Sequence, residues 1–283
     1  MKKVMFFLAA TLVFMATGCN KENTVTDDVQ YVSELKVNFE GDTKVSAAHS
    51  AAGLKFDWED GDVIRILEDG NADSPIYNYV YDASSESFKP EDEGQKMVVG
   101  TKYFALKAVN PVSNFITVDE GKSIVKLNLK TGASDERGLP AIPLISDVFT
   151  ADASGTVATM HHLCGVVEVP VNLSAEEAAR NVTKFSIYSS DGKLAGYYTA
   201  TPYPPYFLGT STPESNTAYS EEKTTPYEAG DITVFIPVLP GTCTGVFLNV
   251  YFDNGSSGGT YIDKDRQLVV ERGKITKVTQ VNY

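Results

Sequence analysis

The chain has 283 residues, 42% of them hydrophobic and 22% charged, which is apolar material enough for one large core or two smaller ones. Its formal net charge of −13 repels nucleic acid and anionic lipid and argues against a nucleic-acid partner. Three Cys and three His are too few for a strong transition-metal signature.

The first element is the leader MKKVMFFLAATLVFMATG. Lys2 and Lys3 give it a positive end, and Val4 to Met15 form an apolar run shorter than the roughly 20 residues that cross a bilayer as a helix. Residues 1–18 therefore read as a signal peptide, whose loss takes the net charge from −13 to −15. Ala16, Thr17 and Gly18 lead into Cys19 in the order of a bacterial lipobox, which makes Cys19 the acylated first residue of the mature chain. Residues 19–30, polar and without periodicity, read as a tether that holds a folded body off the membrane.

Beyond the tether almost every segment alternates apolar and polar residues. SELKVNF places Leu35, Val37 and Phe39 on one face, and the same period of two runs through SIVKLNL, GVVEVPV, TKFSIYS, DITVFIPV and GVFLNVYF. The fold class is all-β, built of antiparallel β-sandwiches. Asp60-Gly61, Asp69-Gly70, Asp191-Gly192 and Asn254-Gly255 offer the positive-φ positions of tight turns, and KFSIYSSDGKLAGYY reads as a hairpin. Only LSAEEAARN looks helical, with Ser174 as N-cap and Glu176 and Glu177 facing the positive end of the dipole. It is the expected hinge between an N-terminal sandwich, residues 31–172, and a C-terminal one, residues 173–283. The absence of a fixed-period repeat disfavours a solenoid or propeller.

Candidate chemistry is sparse, and neither a catalytic site nor a cofactor is expected. His161 and His162 are strand neighbours and point to opposite faces, so they do not readily share an ion. His162 and Cys164 share a face, but two ligands without a third make no zinc site. No Gly-x-Ser-x-Gly elbow accompanies the His residues. Asp69, Asn71 and Asp73 alternate like the start of a calcium loop, yet Ser74 stands where Gly is needed, which leaves a solvated turn as the better reading. An oxidising compartment permits a Cys164–Cys243 bridge, against which their sequence separation weighs. Tyr197, Tyr198, Tyr203 and Tyr206 sit among prolines that stiffen the segment, either to seal one end of a sandwich or to contact a glycan.

Trp58, Gly61-Asp62 and the alternating Val63 to Leu67 in KFDWEDGDVIRIL are followed by YFALKAVNPVSNF, GLPAIPLISDVFTA and MHHLCGVVEVPV. In this order they resemble the fimbrillin family, lipoprotein pilins and pilus accessory proteins of Gram-negative anaerobes, over most of the mature chain. The resemblance implies two transthyretin-like β-sandwich domains in tandem and no enzyme activity. It implies a cell-surface fimbrial subunit with a role in adhesion, partnered by other fimbrial subunits, by the outer membrane through its lipid, and by a host or glycan receptor. It also implies proteolytic removal of a first strand, here the one carrying Leu35, Val37 and Phe39, whose groove accepts a strand from another subunit. Relatives carry a Thr-Arg pair where this chain has Thr43-Lys44, so cleavage is expected after Lys44. The alternative is a surface glycan-binding lipoprotein that uses the Tyr-rich segment 197–207.

Overall fold

The computed structural model describes residues 29–40, 58–107, 111–129, 142–220, 222–263 and 267–283. Alternation becomes strand almost throughout, because a strand sends every second side chain to the same face and the ladder satisfies the backbone. Along Lys122–Leu129 the buried positions are Ser123, Val125, Leu127 and Leu129, and along Val246–Phe252 they are Val246, Leu248, Val250 and Phe252. The one α-helix among the described residues, Ala175–Ala178, begins where Ser174 predicts. The Ser174 hydroxyl oxygen accepts from the Glu177 N–H at 3.3 Å, with Glu176 and Glu177 in the first turn.

Seven strands of the N-terminal half hydrogen-bond in a closed circuit. From Leu35–Phe39 it passes through Ser87–Pro90, Tyr77–Asp82, Val63–Glu68, Lys102–Lys107, Leu144–Ser146 and Thr156–His162, then returns to Leu35–Phe39. Closure leaves few unpaired edges. Leu35, Ile64, Ile66, Tyr79, Phe88 and Met160 belong to its core. Leu67, Phe104 and Leu106, on strands of the same circuit, join a second core with the sheet of Pro111–Asp119, Lys122–Leu129, Ala195–Ala200 and Phe207–Ser215. A third core joins the sheet of Gly230–Val238, Gly165–Leu173 and Ile275–Lys277 to that of Thr217–Tyr219, Val182–Tyr188, Val246–Phe252 and Ser257–Asp263.

Several details differ from the sequence expectation. Pairing is mostly antiparallel, but Leu35–Phe39 runs parallel to Thr156–His162, and Gly165–Leu173 runs parallel to both Ile275–Lys277 and Val281–Asn282. Eight of the nine residues of Gly165–Leu173 precede the expected 172/173 division, yet Val167, Val169 and Val171 among them pack into the C-terminal core. Lys122–Leu129 pairs with Ala195–Ala200 across that division. The segment expected as hinge is held at both ends: the Ser174 N–H donates to the Tyr283 carbonyl at 2.7 Å, and the Arg180 guanidinium lies 3.7 Å from the Phe252 ring centroid.

KFSIYSSDGKLAGYY is not a hairpin. Val182–Tyr188 pairs within the C-terminal body, whereas Ala195–Ala200 pairs within the middle sheet. The intervening loop is fixed to Thr244, whose N–H and hydroxyl donate to the two Asp191 carboxylate oxygens at 2.7 and 2.6 Å. Gly61, Gly70 and Gly255 take positive φ as expected. Gly192 is required for a different reason, since a Cβ there would lie 2.2 Å from the Cys243 Cβ. Gly192→Ala is expected to lose about 1–3 kcal/mol through overpacking, read as a lower urea midpoint at unchanged m-value. The cysteines do not pair: Cys164 lies in the second core and Cys243 in the third, both free, and burial pushes both thiol pKa values up.

Candidate functional site

The strand Leu35–Phe39 is the best placed of the expected site elements. Its five residues pair in parallel with Thr156–Met160, while on the other side a single pair, Leu35 with Phe88, joins it to Ser87–Pro90. Leu35 is fully buried, Val37 and Phe39 are half-buried, and Lys36 and Asn38 face solvent. The Phe39 ring stacks on Trp58 at 5.2 Å, and Trp58 meets Phe88 edge-on at 4.8 Å. Full burial of a Leu is worth about 1.5–3 kcal/mol, which holds this strand in its seat.

A polar clasp closes over its C-terminal end. The Glu40 N–H donates to the Met160 carbonyl at 2.9 Å, and Glu40 Oε2 lies 2.7 Å from His161 Nδ1 and 3.1 Å from the Arg272 guanidinium. The same guanidinium donates to the His162 carbonyl at 3.1 Å. His161 Nε2 stands 3.1 Å from Asp147 Oδ2, outside hydrogen-bond geometry. Tyr206 stacks on His161 with centroids 3.8 Å apart, and its hydroxyl donates to Asp147 Oδ1 at 2.7 Å. The strand end is thereby tied to the loop of the middle sheet and to the turn at 272. Because Glu40 is half-exposed, its ion pair with Arg272 is worth about 0–1 kcal/mol, less than the burial of Leu35.

Partial desolvation raises the Glu40 carboxyl, but hydrogen bonds from His161 and Arg272 and the Arg272 charge outweigh it, and the pKa falls below its ordinary value. His162 points the other way, its ring stacked on Phe39 at 6.5 Å and close against the turn at Gly273. Burial above all, helped by the Arg272 charge, lowers its pKa from 6.5 to about 4, against a smaller upward pull from Glu40.

The four tyrosines do not form one surface. Tyr198 is buried in the second core, stacked with Phe207 at 5.8 Å. Tyr206 is buried in the clasp. The Tyr203 hydroxyl donates to Asp69 at 2.5 Å, and Tyr197 is half-buried with the Lys126 ammonium 5.2 Å from its ring centroid. Asp69 also accepts from the Ser123 N–H, while Asn71 accepts from the Asp73 N–H and donates to Glu68, so DGNADS is a hydrogen-bonded turn. Among the described residues no group of three or more His, Cys, Asp or Glu is placed to hold a metal, and no helix is long and apolar enough to cross a membrane. Cys19, Lys44 and His49 lie outside the described residues. Glu40, Asp147 and Arg272 went unread in the sequence, because each is an ordinary surface charge until the fold brings them together.

A candidate cell adhesion protein from Bacteroides ovatus, 15% identical, matches with a TM-score of 0.55 over 89% of this chain and 92% of its own. The two chains share one fold. A candidate cell adhesion protein from Bacteroides uniformis is similar over 87% of this chain and 90% of its own, at 14% identity and a TM-score of 0.43. A fimbrial protein from Bacteroides ovatus is similar over 90% of this chain and 50% of its own, at 10% identity and a TM-score of 0.40. No family model and no curated protein matches the chain. The fold is consistent with the fimbrillin resemblance carried by Trp58, Gly61 and Asp62.

Proposed function

We propose that the protein is a structural or accessory subunit of a cell-surface fimbria, made as a lipoprotein on Cys19 and assembled by strand exchange, with a role in adhesion. The observation that carries this reading is the placement of Leu35–Phe39: a short strand near the start of the folded body, inserted between two others and paired to one of them by a single residue pair. Cleavage after Lys44 frees that strand from the body, and the vacated ladder of Thr156–Met160 takes the strand of a neighbouring subunit, with side chains at alternate positions filling the pockets of Leu35, Val37 and Phe39. The glycan reading built on residues 197–207 has less support, since Tyr198 and Tyr206 are buried and the Tyr203 hydroxyl is engaged by Asp69.

Treating the purified precursor with a Lys-specific protease tests the proposal. The expected product begins at Val45 and forms ladders that resist SDS, whereas Lys44→Gln stays monomeric. A product cut at Lys44 that remains monomeric at every concentration rules out the strand-exchange part.

A further inference from the structure

One face of the C-terminal body assembles groups that the strand and its clasp do not use. On three adjacent strands Tyr188, Phe247 and Tyr261 stand opposite one another in register, turned away from the core because Ile187, Leu248 and Ile262 take the inward positions. Tyr188 is 38% exposed and Tyr261 52%. The Phe247 ring meets Tyr261 edge to face, centroids 5.0 Å apart and planes at 89°. Gly259 makes room for this arrangement, since a Cβ there would lie 2.3 Å from Phe247 Cε1. Ser190, Thr244 and Gly245 close the other side of an open depression of about 430 Å³, a volume within the range of small-molecule sites.

The lining selects the occupant. It consists of two phenols, a phenyl ring, two hydroxyls and a glycine, with neither an aliphatic side chain nor a cationic one. A stable protein interface takes about 20–30 residues a side, against the six that line this depression, and a polyanion would find no Arg or Lys to pair with. Aromatic faces beside hydroxyls match a molecule whose ring presents C–H groups on its faces and hydroxyls at its rim. The Asp191 carboxylate, fixed to both the N–H and the hydroxyl of Thr244, places negative charge behind that wall and turns away acidic sugars.

The geometry points to a binding site for neutral saccharide, in which a pyranose ring stacks on Tyr261 and Tyr188 and its hydroxyls bond to Ser190 and Thr244. The site is separate from the Tyr-rich loop and independent of strand exchange. Electrophoresis of the purified chain through native gels containing amylopectin, mixed-linkage β-glucan, galactomannan, arabinoxylan or polygalacturonate tests it. The expected result is retardation by at least one neutral polymer. Tyr261→Ala and Tyr188→Ala each weaken that retardation about ten-fold, the scale of one lost aromatic contact, and Tyr203→Ala leaves it unchanged. Both positions are exposed, and melting curves matching the unmodified chain confirm that the variants fold; should Tyr261→Ala not fold, Tyr188→Ala carries the test. Four results overturn the site: no retardation by any neutral polymer, retardation by polygalacturonate alone, retardation that survives both ring substitutions, or loss with Tyr203→Ala instead.

Discussion

Between pH 6.5 and pH 4 the folded protein is expected to lose about 3 kcal/mol of stability through one ring, that of His162. Burial keeps this imidazole neutral in the folded chain down to about pH 4, while in the unfolded chain it takes up a proton near pH 6.5. In that window the unfolded state binds more protons, so stability rises with pH and the loss comes on acidification. Glu40 acts in the same direction: its lowered pKa means that its contribution is complete at neutral pH and is lost as pH falls through that value. Its half-exposed carboxylate makes this the smaller part. Urea titrations at pH 7 and pH 4 on the unmodified chain and on His162→Gln separate the two, because the variant keeps Glu40 and removes the titrating ring. The unmodified chain should lose about 3 kcal/mol more than the variant between these pH values. Equal losses would mean that the His162 ring titrates alike in both states.

A chain that begins at Val45 is expected to show the other large effect. Without Leu35–Phe39 the circuit opens between Thr156–His162 and Ser87–Pro90, and the Leu35 pocket, fully closed in the intact chain, is left empty. The transfer term alone is about 1.5–3 kcal/mol, and the cavity left beside Phe88 adds to it. The urea midpoint should fall, and the exposed ladder of Thr156–Met160 should drive self-association. Adding a synthetic peptide of residues 31–40 should restore the midpoint and suppress association, while the same peptide carrying Leu35→Asp should do neither. A truncated chain that stays monomeric with an unchanged midpoint would show that the strand contributes nothing the body needs.

What could be read from the sequence was what local chemistry decides. Alternation marked the strands, Ser174 marked the helix Ala175–Ala178, and the Trp58 motif marked a turn whose physics the structure now supplies. Asp62 accepts from the Glu59 N–H at 2.9 Å and from the Lys107 ammonium at 2.8 Å, while that ammonium also lies 4.8 Å from the Trp58 ring centroid. What stayed hidden depends on partners far away in sequence. The parallel seat of Leu35–Phe39 needs Thr156–Met160, and the clasp needs Arg272, 232 residues beyond Glu40. The misread hairpin has the same origin. Asp191-Gly192 has the composition of a tight turn, but Thr244 captures the Asp and Cys243 crowds the Gly, and neither can be seen from the dipeptide. The aromatic row of Tyr188, Phe247 and Tyr261 escaped notice because each ring is ordinary in its own strand and only the register aligns them.

The pairing of Lys122–Leu129 with Ala195–Ala200 has a mechanical consequence. The chain visits the middle sheet twice, before and after it lays down Gly165–Leu173 in the C-terminal body. A pull on the two ends of the folded chain therefore cannot draw its halves apart like beads on a string. To separate them, tension must break the five residue pairs that join Val125–Leu129 to Gly196–Ala200, together with the core of Leu127 and Tyr198 beneath them. Separation of the two halves under load therefore waits on this central stitch, a restraint that a simple linker between independent bodies would not impose.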